Sequence, residues 1–86
     1  MTEKRKKLLI IDDDALVRRS IAVYLTDSGF DVHEAGDANK LCDAIQESNP
    51  DLVLTDLRMP GADGLQVLKQ IKQHKPDLSV IIISGA

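Results

Sequence analysis

Read for its alternation of apolar and polar positions, the chain divides into seven segments. Leu8-Leu9-Ile10-Ile11 is an unbroken apolar run, the pattern of a strand buried on both faces. Val17, Ile21, Tyr24 and Leu25 then recur at helical spacing, with Asp14 placed to cap that helix and Gly29 placed to end it. Phe30 and Val32 alternate with Asp31 and His33, which predicts a short edge strand. Ala38, Leu41, Cys42 and Ile45 form the apolar face of a second helix, with Asp37 as its N-cap and Asn49-Pro50 as its stop. Leu52-Val53-Leu54 is a second buried-type strand and ends at Thr55-Asp56. A loop containing Pro60, Gly61 and Gly64 follows. Leu65, Leu68 and Ile71 lie along a third helix that Pro76 closes, and Val80-Ile81-Ile82-Ile83 is the fourth strand.

The order is therefore βαβαβαβ. Strands alternating with helices predict an α/β fold: a doubly wound parallel sheet with right-handed crossovers and helices on both faces. At 86 residues the chain is one domain at most, and no repeat, linker or low-complexity segment divides it.

Composition narrows the function more than the fold. Aromatics are only Tyr24 and Phe30, so the core is aliphatic and there is no stacking platform for single-stranded nucleic acid. A net charge of -3 does not favour a nucleic-acid partner either. The basic run Lys4-Arg5-Lys6-Lys7 reads as a solvated lead-in to the first strand. Cys42 is the single cysteine, so it builds neither a disulfide framework nor a thiolate zinc site, and a reducing, cytoplasmic setting is expected. The N-terminus lacks the apolar region of a signal peptide, and no apolar stretch approaches membrane-spanning length.

The carboxylates stand out against this plain background. In open α/β sheets, ligands bind beyond the carboxyl ends of the strands, where strand order reverses. The first strand ends in Asp12 and Asp13, the third in Asp56 and the fourth in Ser84. Singly, each has an ordinary explanation: Asp12 to Asp14 as a capping cluster, Asp56 as a turn residue, Ser84 as a turn hydroxyl. Jointly, if the first and third strands are neighbours, three carboxylates meet in one crevice, which is costly unless a cation joins them. Oxygen-only ligands with open positions suit Mg²⁺.

At this point the sequence resembles a known family, the CheY-like receiver domains of two-component response regulators. "LLIIDDD" is similar to the family's first strand and acidic pair, "LVLTDLRMPGADGL" to its phosphoacceptor strand and loop, and "VIIISGA" to its fourth strand and switch hydroxyl. The resemblance implies that Asp56 is the phosphoacceptor and that Mg²⁺ sits on Asp12, Asp13, Asp56 and the backbone carbonyl of Arg58. It implies that Ser84 turns its hydroxyl to the phosphoryl group, that small Gly85 leaves the phosphorus open, and that Pro60 and Gly64 shape the loop. Arg58 and Ala86 occupy positions that tune how long the phosphate persists. Leu16, Arg19 and other exposed positions of the first helix resemble the docking face for a histidine kinase or a histidine phosphotransfer protein. Such a module is not a conventional enzyme, though it catalyses its own aspartyl phosphorylation and dephosphorylation.

The family's fold goes on to a further helix, a fifth strand bearing a phosphoryl-pairing lysine and a switch aromatic, and a last helix. Lys69, Lys72 and Lys75 lie on the third helix and do not fill that lysine's place. The expectation is thus that residues 1–86 are the N-terminal portion of one receiver domain, truncated after the fourth strand. With that strand left at an edge, self-association or domain swapping is expected. The main alternative to a phosphate-accepting module is a signalling-incompetent fragment that associates through this edge. An aspartyl-phosphate phosphatase is disfavoured, because the position two residues after the nucleophile is Arg58 rather than an acid. A flavin-binding module is disfavoured too, because no Ser/Thr-rich phosphate loop follows the first strand. A likeness to adaptors for degradation of a stress sigma factor is slight, and neither output domain nor cognate kinase is readable.

Overall fold

The structure is a computed structural model that describes residues 5–36, 41–56, 58–59 and 62–83; the side chains at 41, 42, 56, 58, 59, 62–65 and 67 are outside the description. The elements run β1 (Lys7–Ile11), α1 (Ala15–Asp27), β2 (Asp31–Ala35), α2 (Leu41–Ser48), β3 (Leu52–Asp56), β4 (Arg58–Met59), β5 (Ala62–Asp63), α3 (Gly64–His74) and β6 (Ser79–Ile83). Four of the strands form a parallel sheet in the order β2-β1-β3-β6. This is the doubly wound arrangement expected from the sequence, with β2 at one edge.

β1 is central, and its apolar run is buried from Leu8 through Ile11. Because side chains alternate across a sheet, consecutive buried residues require cover on both sides. One side is the main core, where Leu9, Ile11 and Val53 of the sheet meet Ile45 of α2, Ile71 of α3 and Leu78. The other carries Leu8 and Ile10, with Ala22 of α1 also buried. With β1 flanked by β2 on one side and β3 on the other, the chain reverses its winding direction between β1 and β3, and that fixes where a ligand crevice lies.

The caps follow the sequence closely. Asp14 Oδ1 accepts the backbone N–H groups of Leu16 (3.0 Å) and Val17 (3.3 Å), satisfying two donors that the first turn of α1 leaves open. At the other end Gly29 adopts φ +103°, where a Cβ would be strained. Its N–H reaches the Thr26 carbonyl while that of Phe30 reaches Leu25, the paired bonds of a Schellman terminus. α2 leaves through Asn49 at φ 47° directly before Pro50, as expected. Asp37 and Ala38, read as the start of that helix, lie outside the described residues.

Two expectations need correction. Val17 and Tyr24, read as part of the packed face of α1, are 45% and 72% exposed, whereas Ala22 is buried. The helix is rotated so that Arg18 and Ala22, one turn apart, share its inner stripe, and Arg18 is held there by hydrogen bonds to the ends of β1 and β2. The segment after Asp56 is also more than a plain loop. β4 and β5 pair antiparallel, Arg58 with Asp63 and Met59 with Ala62.

Candidate functional site

The carboxyl end of β1 is built by the sheet register. Ile11 is the partner of Ala35 in β2 and of Thr55 in β3, so the next residues, Asp12 and Asp56, leave adjacent parallel strands at the same level. Adjacent strands lie about 4.8 Å apart, which brings the two backbones side by side at the switch point. Asp56 is paired in turn with Ile83, the last residue of β6, and Ser84 follows it in sequence. Arg58 opens β4, two residues beyond Asp56.

The three consecutive acids divide the work. Asp12 continues the ladder, its N–H bonding the Ala35 carbonyl at 3.1 Å. The residue is 6% exposed, and its Oδ1 accepts the N–H of Asp14 at 2.9 Å. That bond turns the chain out of the strand and delivers Asp14 to the helix cap. The capping explanation therefore holds for Asp14 and for one oxygen of Asp12. Asp13 is exposed and makes no hydrogen bond through its side chain among the described residues.

Of the residues expected at the site, the backbones of Asp12, Asp13 and Asp56 are brought together. The side chains of Asp56 and Arg58, and all of Ser84, Gly85, Ala86 and Pro60, are outside the description, and Gly64 is the first residue of α3. Among the described residues no three metal-ligating side chains form a group. The residues whose backbones the register brings to one level are aspartates, with no cysteine or histidine among them, and oxygen donors of that kind suit Mg²⁺ rather than a softer metal. Lys72 and Lys75 are engaged elsewhere. The Lys72 ammonium donates to the Leu78 carbonyl just before β6, and that of Lys75 donates to Asn49 Oδ1, both at the opposite end of the sheet.

One residue near the acids escaped the sequence reading. Arg18 Nη1 donates to the Asp12 carbonyl at 2.7 Å, while its Nε donates to Glu34 Oε1 at 3.1 Å. Glu34 is shared, with Arg19 Nε 3.6 Å from its other oxygen. No local periodicity marks it, because its partners lie on the ends of two strands.

Residues 8–86 match the response regulator receiver domain family. The DNA-binding transcriptional regulator NtrC of Klebsiella pneumoniae is 44% identical over 76 residues, which are 88% of this chain and 16% of NtrC. The chain thus spans about a sixth of that relative's length. A receiver domain protein from Clostridium thermocellum superposes with a TM-score of 0.87 at 31% identity, covering 92% of this chain and 64% of that one. TrrA of Thermotoga maritima, solved in complex with Mg²⁺ and BeF, has a TM-score of 0.87 at 28% identity, covering 94% and 70%. No helix among the described residues is long and apolar enough to cross a membrane. A match over nearly the whole chain favours the phosphate-accepting module over a signalling-incompetent fragment, and with the β2-β1-β3-β6 sheet and the acids at its switch point it places the chain in the response regulator receiver domain family.

Proposed function

We propose that this receiver takes a phosphoryl group from a phosphohistidine donor onto the Asp56 carboxylate. The observation that carries the reading is the register: Ile11 against Thr55 sets Asp56 beside the acidic pair at the switch point. In the transfer, an Asp56 oxygen forms a bond to phosphorus as the donor's P–N bond breaks. The imidazole leaves with that electron pair and the product is an acyl phosphate. Asp12 and Asp13, with Asp56 and the Arg58 carbonyl, would hold Mg²⁺. When bound, the ion offsets the carboxylates' repulsion and draws charge from the phosphoryl oxygens. Ser84 would donate its hydroxyl to the transferred group.

The partner would be a cytoplasmic histidine kinase or phosphotransfer protein docking on α1, where Leu16 is 82% and the Arg19 side chain 73% exposed. Whatever the phosphate controls lies in an output partner or domain. The test is incubation with acetyl phosphate and Mg²⁺, read by intact mass. Carried in a chain that continues through the rest of the receiver fold, the wild type should gain one phosphoryl group and Asp56→Asn none. Equal labelling of both proteins would refute the assignment.

A further inference from the structure

We propose that Arg18 is a positioning residue that sets the Asp12–Asp13 peptide for metal binding; this rests on the reading of those acids as Mg²⁺ ligands. The contact is to the backbone and not to a carboxylate. The Asp12 carbonyl is one end of the planar peptide joining the two acids. An N–H bond of 2.7 Å to its oxygen fixes the plane of that peptide, and with it the direction in which Asp13 leaves the chain. Charge-assisted bonds of this kind are stronger than neutral ones. The Arg18 side chain is only 19% exposed, so the fork is held in one place.

The second arm explains why the residue is arginine. Nε is tied to Glu34 near the end of β2, so a single guanidinium spans the ends of two strands from the first turns of α1. A lysine has one nitrogen and no fork, and it does not satisfy both acceptors in this geometry. Glu34 also balances the charge, so Arg18 supports the acidic site without standing in for its cation. Gly36 leaves the space. A Cβ at that position would lie 2.8 Å from Arg18 Nη1, while the backbone of Gly36 has no positive φ. Gly36→Ala therefore displaces the guanidinium tip from outside α1. The contacts of a metal ligand's supporting groups are commonly worth ten- to a hundredfold in affinity.

The experiment measures Mn²⁺ affinity by electron paramagnetic resonance on the 86-residue chain, beside the thermal midpoint of each variant. Mn²⁺ is an oxygen-seeking octahedral probe for the Mg²⁺ site. Arg18→Met and Gly36→Ala should each weaken binding about tenfold, and Arg18→Lys, which keeps the charge, should not restore it. Ala22→Gly, which loosens α1 on the same stripe without touching the fork, should lower the midpoint and leave the affinity unchanged. If Asp13→Ala abolishes binding while Arg18→Met and Gly36→Ala bind like the wild type, Arg18 only ties the helix to the sheet and the inference is wrong. Should Arg18→Met fail to fold, Gly36→Ala decides the matter. A wild type that binds no Mn²⁺ would overturn the metal reading itself, and this inference with it.

Discussion

Ile11 of β1 lies directly across from Thr55 of β3, and both are completely buried. That pairing is the last rung of the β1–β3 ladder, and the next residues of the two strands' paths are Asp12 and Asp56. The hydrophobic core thus sets the spacing of the acids. A one-residue slip would turn every side chain of a strand to the other face, so the buried pattern also locks the register.

Ile11→Ala should consequently be among the most damaging core changes. Truncating a fully buried aliphatic side chain costs about 2–5 kcal/mol. In a domain this small that lowers the thermal midpoint by roughly 10 °C or more. Calorimetry or circular dichroism reads the shift. A change of only a few degrees would mean that the site end of β1 is not anchored as described.

Asp14 is the N-cap of α1. Asp14→Ala should cost about 1 kcal/mol of stability through the lost bonds to Leu16 and Val17, and Asp14→Asn much less, because its amide oxygen also caps. Urea unfolding separates the two. Equal losses for Ala and Asn would show that the charge, and not the hydrogen bonds, matters at this position.

Asp13 is exposed and makes no side-chain hydrogen bond among the described residues, so on the proposed reading its removal should be felt in binding and hardly in folding. Asp13→Ala should lose most of the Mg²⁺ affinity seen by calorimetric titration while its midpoint moves little, since exposed substitutions usually change stability by no more than about 0.5 kcal/mol. Unchanged Mg²⁺ binding would remove Asp13 from the site.

Much of this was legible in the residues because the signals were local and repeated. The apolar run Leu8 to Ile11 announced a central strand, Asp14 and Gly29 marked the ends of α1, and acids at strand ends pointed to the switch point. What was missed depended on distance or brevity. β4 and β5 are two residues each, too short for any alternation to show. The rotation of α1 turns on Arg18 reaching Glu34, sixteen positions away, and the Asp12 carbonyl, neither of which a hydrophobic period can reveal. Val17 and Tyr24 misled for the same reason: their spacing fits a packed stripe, but the polar fork chose the neighbouring one.

Borohydride trapping shows which side chain takes the phosphoryl group, and Asp56 is the one expected. An acyl phosphate on an aspartate is reduced to homoserine, which peptide mass spectrometry places in the sequence. After treatment with acetyl phosphate and Mg²⁺, homoserine is expected at position 56 and at no other acid. Homoserine at position 12 or 13, or a phosphorylated chain with an intact Asp56, would contradict it.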